Sequence, residues 1–134
     1  MKQFNKLLLA SFFLIPFMLF ADDLKDDILS MRERAKVRDT LLKDRFESVL
    51  PNIMRRNNID MWLIIAREYN EDPVIRTMLP ATWLNARRRT VLVIFDPGNN
   101  KPLETYAVAR YAVGEIFKKA WDPEAQPDQY KALA

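Results

Sequence analysis

Residues 59–98 read IDMWLIIAREYNEDPVIRTMLPATWLNARRRTVLVIFDPG and contain two wholly apolar runs, at residues 61–66 and 91–95, separated by a polar stretch. Both runs are short, are bounded by charged or turn-forming residues, and lack polar alternation. A strand that is covered on both faces shows this pattern, whereas a strand with one solvated face alternates apolar and polar side chains. The segment therefore predicts two buried strands of an α/β sheet.

The polar stretch between the two runs contains the start and stop signals of a short helix. Asp72 and Pro73 are typical of a helix start, and Pro80 of a helix end. We expect this stretch to cross the sheet, so that the second strand runs parallel to the first through a right-handed connection. Residues 96–100, DPGNN, precede the strand-like residues 103–110, which predicts an antiparallel hairpin. The predicted fold is α/β, with a mixed sheet of at least three strands flanked by helices.

Helical periodicity dominates residues 28–57. One apolar stripe runs through Ile28, Met31, Ala35, Leu42, Phe46, Val49 and Ile53. Because a proline inside a helix removes a backbone hydrogen bond, we predict two helices, the first ending near Ser48 and the second opening at Pro51. Helices are also predicted at residues 114–120 and 128–134. The last of these has no C-cap signal, which indicates a chain that is incomplete at its C-terminus.

The amino terminus has the pattern of a secretory signal peptide. Lys2 and Lys6 precede an apolar stretch at residues 7–20, which fits such a signal and is shorter than the about 20 residues needed to span a bilayer. We therefore predict a signal peptide at residues 1–21, export to the periplasm or the medium, and only transient membrane contact. Leu19 stands where a small residue is usual before the cut, and an apolar first helix is the alternative interpretation.

Composition restricts the chemistry that the chain can perform. Its 134 residues include no histidine and no cysteine, which removes the common ligands of hydrolytic zinc and the common general base. A carboxylate-only site for a hard cation stays open. The carboxylates that could form one are Asp22, Asp23, Asp26 and Asp27, and Glu68, Glu71 and Asp72. Solvation and helix capping explain both clusters, so we predict no metal, no cofactor and no catalytic residue in this chain.

Charge gives little support for a nucleic-acid partner. Removing the two lysines of the predicted leader from 21 basic residues leaves 19 against 18 acidic residues. The basic concentrations are Arg55 with Arg56 and the triplet Arg87, Arg88 and Arg89, and neither is interleaved along the chain with aromatic residues. We predict a solvated or ion-paired face and no bound nucleic acid. A basic nucleic-acid-binding fragment is the alternative, and a steep loss of affinity with salt would reveal it.

Five stretches carry a family resemblance. They are REYNEDPV (67–74), LPATWL (79–84), ARRRT (86–90), FDPG (95–98) and WDPE (121–124). In order and spacing they resemble the amino-terminal domain of large bacterial members of the creatinase/prolidase/Xaa-Pro aminopeptidase family, the "pita-bread" metallopeptidases. The resemblance covers residues from about 30 to 134. In that family a divalent metal pair, such as manganese, cobalt or zinc, is held by Asp, His and Glu ligands of a separate carboxy-terminal domain.

The resemblance implies a domain organisation and a role. Residues 22–58 are expected to form amino-terminal helices, and residues 59–134 a partial creatinase-like domain, with the catalytic domain absent. The chain is then a truncated, non-catalytic part of an exported hydrolase. Such domains cover the active-site mouth of their own or a neighbouring subunit and mediate oligomer contacts. The expected partners are the missing catalytic domain and further copies in a homo-oligomer.

Two surfaces are predicted to make the interdomain or substrate-side contacts. Their residues are Arg67, Glu68, Tyr69 and Asn70 in the loop after the first strand, and Trp83, Arg87 and Arg88 before the second. Ligands of open α/β sheets usually bind at such strand ends. The plainer alternatives are that Arg67 and Glu68 pair with each other or with Arg76, and that Trp83 is a core residue. A free-standing exported module that binds a small ligand or a protein is the alternative function.

Overall fold

The computed structural model describes residues 28–133. The predicted leader and the acidic residues 22–27 lie outside the described residues. The chain divides into two compact units, Met1–Arg34 and Ala35–Ala134. In the described part of the first unit, Ser30 and Glu33 form a reciprocal capping box: the Glu33 N–H donates to Ser30 Oγ (3.3 Å), and the Ser30 N–H donates to Glu33 Oε2 (2.9 Å). These bonds satisfy backbone donors at a helix start.

The helical region is continuous and does not break at the proline. It consists of α1 (Met31–Asp44), a π-helical turn (Arg45–Val49) and α2 (Leu50–Arg56). Pro51 lies in the first turn of α2. Immediately before it, the π-helical turn shifts the hydrogen-bond pattern, with the Leu50 N–H donating to the Arg45 carbonyl. Such a turn accommodates a residue that lacks an N–H inside a continuous helix, so the predicted break before Pro51 is wrong.

The π-helical turn also changes which side chains are buried. Four buried side chains lie four residues apart, at Leu42, Phe46, Leu50 and Met54, and Pro51 is buried beside Leu50. In an ordinary α-helix, residues four apart drift around the axis by about 40° per step. The wider π turn offsets this drift and keeps all four on one face. The predicted stripe is confirmed only at Leu42 and Phe46, since Ile28 and Met31 at its start and Val49 and Ile53 at its end are exposed.

Four strands form one sheet in the order β1-β2-β3-β4. They are β1 (Met61–Arg67), β2 (Arg89–Phe95), β3 (Glu104–Val108) and β4 (Lys118–Lys119). β1 and β2 pair antiparallel, as do β2 and β3, whereas β3 and β4 pair parallel. The predicted α/β class, the mixed sheet and the hairpin after residue 95 are confirmed.

The predicted parallel pairing of the first two strands is wrong. The connection between β1 and β2 contains only the short helix α3 (Ile75–Met78). A four-residue helix rises about 6 Å and does not return the chain along the length of the sheet, so β2 runs back beside β1 in the opposite direction. The predicted helix start at Pro73 with Asp72 as its cap is wrong, because the N-cap of α3 is Val74 and has no side-chain hydrogen bond. Asp72 closes the turn before α3 instead, since its Oδ1 accepts the Val74 N–H at 2.8 Å.

The two faces of the sheet are covered unequally. Helices and loops cover one face, where the buried side chains include Ile64, Ala66, Leu92, Ile94 and Ala107. The opposite face carries the small cluster of Val91, Val93 and Val108, with Trp121 and Leu133 packed against it. On that face the β1 residues Met61, Leu63 and Ile65 are 52%, 42% and 46% exposed. The prediction of strands covered on both faces therefore holds for β2 and is wrong for β1.

The helix predicted at residues 114–120 is absent from the described structure. A bridge joins Val113 to Phe117, and β4 follows it. Gly114 makes this turn possible with a φ of +60°, and Phe117 is fully buried in the main core. Burial of that ring outweighs the helical pattern of its neighbours. Near the chain end, the described helix is a single 3₁₀ turn (Lys131–Leu133) rather than one starting at residue 128.

The two glycines of the chain predict different costs on substitution. Gly98 and Gly114 both have positive φ, so alanine at either is expected to cost about 1–2 kcal/mol of folding free energy. At Gly114 the added Cβ would also lie 2.9 Å from Pro80 Cγ, whereas nothing lies within 4 Å at Gly98. We expect Gly114→Ala to be the more destabilising change in urea denaturation. Equal losses would show that Pro80 moves aside without cost.

Candidate functional site

Four arginines surround one open cavity of about 380 Å³, here called the arginine cavity. They are Arg87, Arg88, Arg89 and Arg110. The same cavity is lined by the aromatic residues Trp83, Tyr111 and Trp121. Basic and aromatic residues do not alternate along the sequence, but the fold brings them together around this cavity. The structure brings together three of the seven predicted contact residues here, namely Trp83, Arg87 and Arg88.

Backbone contacts hold the arginine segment beside the first strand. The Glu68 N–H donates to the Arg88 carbonyl at 2.7 Å. The Ala86 N–H donates to Glu71 Oε1 at 2.6 Å, and Ala86 itself is fully buried. Arg88 has a φ of +54°, a conformation that is uncommon for a residue with a side chain. Arg88 therefore lies in a bend that leads into Arg89, the first residue of β2.

The predicted loop at residues 67–70 adjoins the cavity without lining it. The Asn70 N–H donates to the Arg67 carbonyl, and the Arg67 N–H donates to the Asn70 carbonyl, which closes a tight turn. Tyr69 at its tip has a φ of +65° and is 99% exposed. The ring therefore contacts nothing in the described part of the chain. Glu68 contacts the arginine segment through its backbone N–H, and Arg67 is paired with Arg89 across β1 and β2.

Aromatic rings orient two of the guanidinium groups. Arg87 Cζ lies 5.4 Å from the centre of the Trp83 ring, and Arg89 Cζ lies 4.6 Å from that of Tyr130. Such cation–π contacts are worth about 0.5–1 kcal/mol at exposed sites. They hold the guanidinium planes without neutralising the charge. Trp83 is half-buried and also packs against the main core, so it belongs both to the core and to the cavity.

A buried amide organises the floor of the cavity. Gln129 is 7% exposed, and its Nε2 donates to the carbonyls of Arg89 (3.1 Å) and Val108 (2.5 Å). Because one amide binds residues of two neighbouring strands, it fixes the chain end against the sheet. The neighbouring Trp121 donates its indole N–H to the Gln126 carbonyl at 2.7 Å. The Gln129 amide and the Trp121 indole are therefore held by hydrogen bonds within the chain.

The charge of the cavity is not balanced by the described residues. The ion pairs between residues 28 and 133 are Lys43–Glu47, Arg55–Asp96 and Arg76–Glu71, and no aspartate or glutamate lines the cavity. Arg87, Arg88 and Arg89 are exposed, which fits the solvated alternative of the predicted solvated or ion-paired face. Arg55, from the other basic concentration, is ion-paired with Asp96. Arg76 pairs with Glu71 rather than Glu68. Arg67 also lies directly opposite Arg89 across β1 and β2. Like charges opposite each other in a strand pair are unfavourable.

The sequence could not identify the remaining members of the site. These members lie far from the arginine triplet in the sequence. Arg110 and Tyr111 follow β3, and Gln129 lies in a turn after it. No local motif marks them, because only strand pairing brings them together. The sequence shows Arg89 as part of the arginine triplet. That Arg89 lies opposite Arg67 follows only from the register of β1 and β2.

Within the described part of the chain, no group of three or more His, Cys, Asp or Glu side chains is placed to hold a metal ion. Between residues 28 and 133, no helix is long and apolar enough to cross a membrane. Comparison of the chain with family models, with curated proteins and with solved structures found no match.

Proposed function

We propose that this chain is the non-catalytic amino-terminal part of an exported Xaa-Pro aminopeptidase-like metallopeptidase, and that the arginine cavity is the surface through which it contacts carboxylates. The observation that carries this proposal is that Trp83, Arg87 and Arg88 line one cavity together with Arg89 and Arg110. The family resemblance supplies the enzyme class, and the absence of histidine and cysteine from the sequence supports a non-catalytic role.

Carboxylates suit the cavity for a geometric reason. Guanidinium groups bind carboxylates through paired, charge-assisted hydrogen bonds. In a peptidase these carboxylates belong to the catalytic domain, to a neighbouring subunit or to the free carboxyl end of a peptide. The aromatic residues add apolar contact beside the charge, so a peptide end with an apolar last residue fits better than a bare anion.

We expect the purified chain to bind an Xaa-Pro-Phe tripeptide with a free carboxyl end and to bind its C-terminal amide more weakly. Tryptophan fluorescence reports the titration, since Trp83 and Trp121 line the cavity. Replacing both Arg87 and Arg88 by glutamine should weaken binding about tenfold or more, because each charge-assisted bond contributes about 1.5–3 kcal/mol.

The matched control is Arg56→Gln, which removes an exposed arginine that does not line the cavity. It should leave the affinity unchanged. Equal affinities for the acid and the amide, or equal losses in control and variant, would contradict the assignment of the cavity. Tighter binding of a single-stranded oligonucleotide, with steep salt dependence, would favour the nucleic-acid alternative instead.

Peptidase assays test the non-catalytic role separately. The purified chain is expected to hydrolyse no Xaa-Pro peptide when manganese, cobalt or zinc is added, because hydrolytic metal sites draw on ligands that this sequence lacks. Release of proline-containing product is measured against an Xaa-Pro aminopeptidase as positive control. Turnover by this chain alone, with metal bound in stoichiometric amount, would overturn the proposal.

A free-standing exported binding module is the second candidate. It is favoured by the size of the arginine cavity, which falls within the range of about 300–1,000 Å³ typical of small-ligand sites. A small anion such as citrate should then stabilise the chain by RT ln(1 + [L]/Kd). A citrate-dependent rise in Tm that the Arg87→Gln/Arg88→Gln variant lacks, without tripeptide binding, would favour this module over the peptidase role.

A further inference from the structure

Strand β1 presents an open edge beside an exposed apolar row. It lies at one end of the sheet and pairs only with β2 in the described structure. Met61, Leu63 and Ile65 project from its uncovered face and are each more than two-fifths exposed. Natural edge strands are usually protected by lysine, proline or a bulge. Residues 61–66 include no charged residue and no proline, so none of these devices protects the edge, and no strand between residues 28 and 133 other than β2 pairs with it.

The hydrogen bonds at the strand ends show which backbone groups point outward. The Asp96 N–H donates to the Asp60 carbonyl (2.8 Å), and the Glu68 N–H donates to the Arg88 carbonyl (2.7 Å). Because antiparallel ladders alternate, the even-numbered residues of β1 face β2. The N–H and C=O groups of residues 61, 63 and 65 therefore point to the open edge. The Arg67 N–H is already bound to Asn70, so the free edge ends at residue 65.

We propose that a second copy of this chain adds its β1 antiparallel to this edge, with Leu63 opposite Leu63 of the partner subunit. In this register Met61 lies opposite the partner's Ile65, and the outward backbone groups of both strands match in about six hydrogen bonds. The three exposed apolar side chains are spaced symmetrically about Leu63. The uncovered row is therefore complementary to itself, as a twofold interface requires.

Charge favours the antiparallel arrangement over a parallel one. β1 begins after Asp60 and ends at Arg67. An antiparallel pair brings the acidic end of one strand towards the basic end of the other, whereas a parallel pair in register would align like charges. The opposite edge of the sheet is β4, which consists of two exposed lysines. Lysines on an edge oppose further pairing, so assembly stops at a dimer.

The proposal is independent of the peptidase assignment, because it uses only β1. Pairing of two short strands buries less than the about 800 Å² per partner of a standard interface. We therefore expect a weak dimer that dissociates on dilution in sedimentation velocity. Leu63→Lys should raise the dimer Kd about tenfold or more, since two ammonium groups would meet at the twofold axis. Circular dichroism then establishes that the variant is folded.

Cysteine cross-linking tests the register of the two β1 strands directly. The chain has no cysteine of its own, so any disulfide forms at the introduced residue. Leu63→Cys should form a disulfide-linked dimer on mild oxidation, since opposed Cα atoms at about 5.5 Å suit a disulfide. Met61→Cys and Ile65→Cys should cross-link with each other when mixed and only slowly alone. The exposed helical control Val37→Cys should remain monomeric.

Three outcomes would overturn the proposal. The first is equal cross-linking of Leu63→Cys and Val37→Cys. The second is efficient self-linking of Ile65→Cys, which indicates parallel pairing. The third is a chain that sediments as a monomer at all concentrations with an unreactive Leu63→Cys. That last result would mean that this edge is occupied by another segment or another protein.

Discussion

Phe117→Ala is expected to lower the free energy of unfolding by about 3–5 kcal/mol, the range for removing a buried phenylalanine. The Phe117 ring is fully buried and meets the Phe46 ring edge-to-face, with centres 5.2 Å apart and planes at 88°. Truncation therefore removes apolar burial, leaves a cavity and breaks an aromatic pair worth about 0.5–1.5 kcal/mol. The loss would also release the turn that leads into β4.

Urea denaturation measures this change, with two controls. Phe117→Leu keeps most of the volume and should cost clearly less. Leu84→Ala removes an apolar side chain that is 81% exposed and should change stability by no more than about 0.5 kcal/mol. If Phe117→Ala cost no more than Leu84→Ala, the residues around 113–119 would not be part of the cooperative fold.

Asp96→Asn is expected to reduce stability at neutral pH through the loss of a paired charge. Arg55 donates from Nε to Asp96 Oδ2 (2.8 Å) and from Nη2 to Asp96 Oδ1 (3.0 Å). Arg55 also donates to the Lys101 carbonyl at 2.6 Å. The pair therefore joins α2 to the turn between β2 and β3. The Arg55 hydrogen bonds lower the pKa of Asp96, aided by a bond from the Gly98 N–H.

The lowered pKa sets the direction of the pH dependence. A carboxylate whose pKa falls on folding stabilises the fold above its unfolded pKa of about 3.9, and this contribution is lost as pH falls through the folded pKa. The urea midpoints of the wild type and Asp96→Asn should thus differ at pH 7 and converge below about pH 4. Glu33 also has a lowered pKa, from its bonds with Ser30, so the comparison is repeated in a Glu33→Gln background. A difference that does not change with pH would contradict the role of the charge.

Two of the stretches that carry the family resemblance have a local structural role. In FDPG, Asp96 caps its own turn, since Oδ1 accepts the Gly98 N–H at 3.0 Å, while it also binds Arg55. In WDPE, Asp122 Oδ1 accepts the Glu124 N–H at 3.1 Å. Turn formation therefore explains their aspartates. By contrast, ARRRT places three arginines around the cavity with no acidic partner in the described structure, so its charge is the feature that points to a ligand.

The predictions from sequence were best where one local rule decides the outcome. The strands at residues 61–66 and 91–95 were predicted to within two residues, because continuous apolar runs bounded by charge identify strands. The hairpin after β2 was predicted from the DPGNN turn. The direction of β2 relative to β1 was predicted wrongly, because apolar content does not specify strand direction and the connection contains only a four-residue helix. The helix expected at residues 114–120 failed because burial of Phe117 decided the local structure.

The sequence by itself determined where β1, β2, β3 and the main helical region lie, since apolar runs, periodicity and turn residues act over a few positions. Only the tertiary structure decided that β1 and β2 are antiparallel and that a π-helical turn aligns Met54 with Leu42. It also decided that one face of β1 is exposed, and that Arg87, Arg88 and Arg89 line the same cavity as Arg110 and Gln129. Each of these depends on contacts between residues distant in sequence. Such contacts depend on packing and strand register, and no short stretch of the sequence specifies either of them.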